Sequence, residues 1–307
     1  MINIRQLKVE NVLFEYITED RSIYIFNTNN DRMVKTTDEM IEYLEDYQIA
    51  DETNDPAVDK FIFDKRKKRP FELKFARVSV EKRFFSKIFR LFDTLYFRLF
   101  MGIAALVGFV LLPLFLADGA TSYMNNSLHL DWKGAVMIYL GQLIITTFHE
   151  LGHYYYYQKY INSEKFRFGI LLRYFFLFLF YTNVNFIDRL PKKQQIKILF
   201  AGVQVQASVN GVLLFIMLFV QSPFLLSLFF INLINIIINL VPFLKTDGYW
   251  VVNLMIGSDD YMRSFKNWIT RKKTTIKFSE LLFSTINIIC IAYILFSGSY
   301  QLIRLIF

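Results

Sequence analysis

Residues 134–157 read GAVMIYLGQLIITTFHELGHYYYY. The first half is apolar enough to lie in a bilayer, yet the second carries His149, Glu150 and His153 within about one turn. Polar and ionisable groups inside a membrane span are costly, roughly 2.5–3.5 kcal/mol for a central Asp on insertion scales, so three of them together call for a joint reason. On a helix, positions i and i+4 share one face, so the two imidazoles point the same way. Such a pair can hold one metal ion. Zinc suits them, and a catalytic zinc site keeps one coordination position for water. The pKa of that water falls towards about 7. Glu150, one residue along, is placed to take its proton and to pass it on to a leaving amine.

The rest of the chain fits a membrane setting. Of 307 residues, 54% are hydrophobic and 18% aromatic, which excludes an ordinary soluble protein. A single cysteine, Cys290, rules out an intrachain disulfide. With only His129, His149 and His153 available, a multi-histidine iron centre is excluded. Spans are expected over 97–117, 134–156, 197–221, 224–245 and 279–297, each near the ~20 residues that cross a hydrocarbon core. If the N-terminus is cytoplasmic, only Lys133 and Arg304 of the 35 Lys and Arg residues fall outside. This is the bias that the positive-inside rule demands. Residues 166–186, FRFGILLRYFFLFLFYTNVNF, would upset that parity as a further span; they read instead as a re-entrant or interfacial hairpin on the cytoplasmic side. The alternation in FLFYTNVNFI further suggests an edge for an extended peptide to pair with.

Ahead of the spans, residues 1–60 form a small cytosolic α/β domain: NVLFEYI and RSIYIFN are strand-like, and TTDEMIEYLEDY opens on a helix-capping pattern. Residues 61–96 form a basic juxtamembrane and interfacial segment. It holds KRKKR at 65–69, suited to anionic lipid rather than to nucleic acid, and then Phe84, Phe85, Ile88, Phe89 and Phe92 among basic residues. A membrane domain that holds the histidine pair is expected over 97–307. The fold class is thus an α-helical polytopic membrane protein with about five transmembrane helices, a hairpin and an N-terminal α/β domain.

The histidine pair needs a third ligand. His129 falls in the outer loop by the parity above, whereas Asp247 follows the fourth span on the same side as the histidines. His149 is about 15 residues into its span, roughly 22 Å at 1.5 Å per residue. Pro242 breaks the helix before Asp247, and Gly248 adds backbone freedom. Glu280, at the start of the fifth span, is the alternative carboxylate.

FHELGH (148–153) together with NLVPFLKTDG (239–248) resembles the site-2 protease family of intramembrane zinc metalloproteases, which pairs HExxH with N-x-x-P-x-x-x-x-D-G; Asn239, Pro242, Asp247 and Gly248 match. The resemblance covers about 135–255. It implies zinc held by His149, His153 and Asp247, with Glu150 as catalytic base and Asn239 as a substrate-binding residue. FAGVQVQASVNG (200–211) is similar to the family's A-G-P-x-x-N segment, with Val203 in place of the proline and Gln206 at the asparagine. PFLKTDGYW looks like the branch found with ribosomally made, modified peptides, and the N-terminal domain is similar to small winged-helix domains that hold leader peptides. The expected partners are therefore a membrane-associated or small ribosomally made peptide substrate and a bilayer with anionic lipids. The expected location is a bacterial cell membrane, crossed several times, with the N-terminus cytoplasmic. A non-catalytic metal-containing binding or transport-accessory protein is the alternative function.

Overall fold

The computed structural model describes residues 2–9, 12–19, 22–46, 56–63, 72–118, 132–173, 177–220 and 222–306. The basic run 65–69, His129 and the tip of the hairpin at 174–176 lie outside the described residues. The chain divides into two compact units, one of residues 1–87 with 157–189, the other of 88–156 with 190–307.

The first unit is built on sheets. Strands β1 (Ile2–Asn3), β2 (Arg5–Val9), β3 (Val12–Glu19), β4 (Ser22–Asn27) and β5 (Arg32–Thr36) come first, and β2 to β5 form an antiparallel meander. Alternation puts Phe14, Ile23 and Ile25 on one face, where they bury against Ile41 and Leu44 of α1 (Asp38–Glu45) and Phe61 and Ile62 of α2 (Pro56–Phe63). Thr37 caps α1 without a side-chain bond, while Asp38 and Glu39 complement the helix dipole. Asn27 Nδ2 donates to the carbonyls of Phe61 at 2.9 Å and Ile62 at 3.1 Å, tying α2 to the meander.

Next come β6 (Glu72–Glu81), and α3 (Lys82–Asp93), whose buried Phe85, Phe89 and Phe92 oppose exposed Arg83, Lys87 and Arg90. The 166–186 segment is a hairpin, as the sequence suggests. Its strands β8 (Lys165–Arg173) and β9 (Leu177–Thr182) join β6 in a sheet of order β6-β8-β9. Just ahead of β8 in the chain, β7 (Ile161–Asn162) pairs in parallel with β1 in a separate two-stranded sheet. A buried ion pair, Arg167 Nη2 to Glu15 Oε1 at 2.8 Å, joins β8 to β3, and Asn185 Nδ2 adds a hydrogen bond to Glu15 Oε2 at 2.9 Å.

The second unit is helical. It comprises α4 (Leu95–Asp118), most of α5 (Trp132–Tyr160), α6 (Lys192–Met217), α7 (Pro223–Leu240), α8 (Asp247–Ile256), α9 (Tyr261–Ile269) and α10 (Phe278–Ile306). Among the described residues, four helices are long and apolar enough to cross a bilayer, namely Leu95–Leu116, α5, α6 and α7, which points to a multi-pass membrane protein. The expected fifth span corresponds to α10, whose apolar stretch Phe278–Ile294 is shorter. The expected fourth span is shorter than its sequence limits of 224–245: α7 stops at Leu240, because Pro242 cannot continue the helix and pushes the residue before it out of the helical region, with Val241 at φ −64° and ψ 123°.

Small residues let α4 and α6 touch. A Cβ on Gly211 would fall 1.7 Å from the Ala104 carbonyl oxygen. Ile138 and Ile145 of α5 pack with Leu213, Leu214 and Met217 of α6 and with Leu226, Leu228 and Phe229 of α7. Below that apolar layer, Asn232 Nδ2 on α7 donates to Asn210 Oδ1 at 2.7 Å and to the Gln206 carbonyl at 3.1 Å, so amide pairs hold α6 and α7 together.

Candidate metal centre

His149 and His153 face the same side of α5, as i and i+4 must, and both are buried. Their Nε2 atoms are 3.0 Å apart. Asp247, the first residue of α8, brings Oδ2 to 3.4 Å from His149 Nε2 and 3.3 Å from His153 Nε2. The three atoms form a nearly equilateral triangle. Donors bonded at about 2.0–2.1 Å in a tetrahedral site stand about 3.3 Å from one another, so the triangle has the dimensions of a metal-ligand face. Among the described residues, this is the one group of His, Cys, Asp and Glu that could hold a metal.

The hydrogen bonds around the triangle set which nitrogens are free to ligate. His149 Nδ1 lies 2.9 Å from Gln206 Oε1, and His153 Nδ1 lies 2.7 Å from the Ile198 carbonyl oxygen. Both partners accept only, so each Nδ1 carries a proton and each Nε2 presents a lone pair to the triangle. Asp247 Oδ2 is buried and has no hydrogen-bond partner among the described residues. Two lone pairs and a carboxylate oxygen converging without hydrogens between them suit a cation and little else.

Glu150 is buried beside His149. Asn239 lies near the end of α7, where its Nδ2 donates to Gln206 Oε1 at 3.2 Å. Asn239 therefore joins the network that orients His149. Glu280, the alternative third ligand, is elsewhere: it accepts from Ser258 Oγ at 2.7 Å and pairs with Lys273 Nζ at 3.4 Å.

Asp247 is held by a tightly tied turn. Tyr261 Oη donates to the Pro242 carbonyl at 2.6 Å, and Asn287 Nδ2 to the Phe243 carbonyl at 2.8 Å. Thr246 Oγ1 donates back to the Ile238 carbonyl at 2.9 Å. Lys245, in the left-handed region at φ 55°, pairs with Asp260 at 2.9 Å. Gly248 is required by closeness: a Cβ there would meet the Leu240 carbonyl oxygen at 2.2 Å. Asp260, the N-cap of α9, is pulled up by burial. The Lys245 ammonium and hydrogen bonds from Tyr249 Oη and the Arg263 amide outweigh that and hold its carboxyl below the ordinary range.

Two residues of the FAGVQVQASVNG segment matter to the geometry. Gln206, 1% exposed, is the partner of both His149 and Asn239, across from α5 on α6. A Cβ on Gly202 would come within 2.5 Å of His149 Cε1 and His153 Nε2, so its hydrogen is what lets α6 lie flat on both imidazoles. Gly202 thus packs against the rings themselves. Gln206 had two signals, its place at the asparagine of the A-G-P-x-x-N-like segment and an amide inside an apolar span; Gln204, two residues earlier, gave the second of them as well.

Comparison with known proteins gives one directional result. Over 170 residues, covering 51% of this chain and 67% of the relative, the sequence is 25% identical to a Bacillus subtilis (strain 168) protein that bears the provisional name peptide zinc metalloprotease protein YydH. No protein-family model matches the chain, and no solved structure matches it.

Proposed function

We propose that this protein is a zinc metallopeptidase that hydrolyses a peptide bond in a membrane-associated or small ribosomally made peptide. The observation that carries the reading is the triangle of His149 Nε2, His153 Nε2 and Asp247 Oδ2, with edges of 3.0, 3.4 and 3.3 Å. The similarity to a protein named as a peptide zinc metalloprotease supports it.

When bound there, zinc supplies a Lewis acid that polarises a carbonyl oxygen and makes water acidic enough to lose a proton near neutral pH. The chain's own residues do the rest. Gln206 Oε1 and the Ile198 carbonyl hold the two imidazoles in the tautomer that leaves Nε2 free. Glu150 takes the proton of the attacking water and delivers it to the departing amine. Asn239 holds the extended substrate with the part of its amide not given to Gln206. The outer edge of β9 presents main-chain groups of the kind an extended peptide pairs with, since β9 ends the sheet order β6-β8-β9. Cleavage occurs within or beside the bilayer of a bacterial cell, with the N-terminus and the basic segments on the cytoplasmic side.

The test is co-expression with small peptides encoded nearby, read by mass spectrometry. Wild type is expected to yield cleaved peptide and Glu150→Gln intact peptide, a loss of about 10²-fold or more, with bound zinc equal in both. Equal processing by the two would assign the centre a structural role instead.

A further inference from the structure

The second unit holds a cavity that the metal centre does not use. It has a volume of about 110 Å³, and its walls include Phe92, Phe97, Arg98, Tyr155, Tyr156 and Gln204. It lies where α3 turns into α4, against the backs of α5 and α6. Gly152, between the two histidines, and Ala201, next to Gly202, close its inner side. The volume is several times the roughly 10–15 Å³ that one water needs, and so has room for a phosphate group.

Its polar groups are unusual for their position. Ser208 Oγ on α6 donates to the Met101 carbonyl on α4 at 2.9 Å, and Gly211 lies against Ala104. Both contacts advance together along the two helices, so α4 and α6 run in the same direction. Arg98 therefore stands level with Gln204 and Val205, at the depth of the Ile198–Gln206 stretch that supports the imidazoles. Gln204 is exposed on a membrane-spanning helix, and its side-chain amide is unpaired among the described residues. Arg98 is also exposed, and among the described residues Nη2 alone of its guanidinium donors is engaged, with the Asp93 carbonyl at 3.0 Å. Phe92 and Phe97 stack with centroids 4.9 Å apart and planes 9° apart, forming a flat apolar wall. Next to the mouth, the outer face of α4 exposes Phe100, Ile103 and Leu106 at 54%, 60% and 61%.

We propose that this cavity binds the head of an anionic phospholipid, with the phosphate on Arg98 and the Gln204 amide and an acyl chain along the outer face of α4. A guanidinium fork fits phosphate oxygens bidentately. An exposed amide and a cation at membrane depth are tolerated when a lipid head meets them. The apolar face below accounts for a lipid in preference to a free anion. The occupant would pack on the backs of the two helices that carry the metal donors and their supports.

The test uses the full chain reconstituted in vesicles of phosphatidylcholine containing phosphatidylglycerol, extracted in mild detergent and read by native mass spectrometry. Wild type is expected to retain phosphatidylglycerol over phosphatidylcholine. Arg98→Gln should reduce that retention about tenfold, as loss of a charged hydrogen-bonding partner implies. Arg98→Lys, which keeps the charge, should lose less, and Gln204→Leu should also weaken retention. Arg90→Gln, on the exposed face of α3, should change nothing. Retention unaltered in Arg98→Gln and Gln204→Leu overturns the proposal, as does an equal loss in Arg90→Gln, which would mean diffuse surface attraction. Displacement of the lipid by inorganic phosphate would make a free anion the ligand and overturn it as well.

Discussion

His149 carries two tasks at once, and Gln206 connects them. One amide oxygen accepts from the imidazole at 2.9 Å and from Asn239 Nδ2 at 3.2 Å. Removing it leaves His149 free to rotate or to change tautomer. Gln206→Ala is therefore expected to weaken metal binding about 10–100-fold, the usual effect of losing a group that orients a ligand. Competition with a chelator measures this, and an unchanged affinity would show that the amide is only packing. The histidine pair of the candidate centre was legible in the sequence, because i, i+4 spacing and an ionisable cluster in an apolar run are local signals. Gln206 stood at the asparagine of the A-G-P-x-x-N-like segment, but its contact with His149 was not legible, because that partner is 57 residues away on another helix and no local pattern encodes a helix crossing. Asp247 stood between these cases: the break at Pro242 and the direction of the spans pointed to it, and the structure brings it to within 3.4 Å of both imidazoles.

Among elements, the turn between α7 and α8 decides where Asp247 goes, and its ion pair gives it a pH signature. The folded-state pKa of Asp260 is depressed, so its stabilising effect is present above the ordinary value of 3.8 and is lost as pH falls through the lower folded value. Wild type in detergent should lose thermal stability below about pH 4. Asp260→Asn should be less stable at pH 7 and show a flatter acid limb; parallel curves would contradict the pairing with Lys245. The hairpin makes a second prediction. Asn183 N–H donates to the Arg167 carbonyl at 2.8 Å, so proline at Asn183 would break the hairpin itself. Antiparallel alternation then turns the Phe180 N–H to the outer edge. Phe180→Pro should reduce peptide cleavage while leaving bound zinc unchanged, and equal loss of both would indicate misfolding. The hairpin was legible from its alternation and from Arg173, which argues against a span. Its third strand was missed: Glu72–Glu81 has a register shift between Lys74 and Ala76, and that irregularity hides its alternation.

At the scale of the whole molecule, hydropathy alone located the four long apolar helices, because a span is a property of composition over ~20 residues. Pairing between distant segments was less legible. Residues 157–189 belong with the N-terminal unit through contacts such as Arg167–Glu15 and β1–β7, and complementary polar groups that far apart leave no mark in either segment alone. The account as a whole rests on donors from α5 and α8, 94 or more residues apart in the chain, meeting on one ion. X-ray absorption at the zinc edge of the zinc-loaded, full-length protein tests this most directly. It should show a first shell of nitrogen and oxygen at about 2.0–2.1 Å, with imidazole scattering equivalent to two histidines. Asp247→Ala should lose the ion or alter that shell, whereas a sulfur shell, or a wild-type spectrum unchanged in Asp247→Ala, would contradict the account.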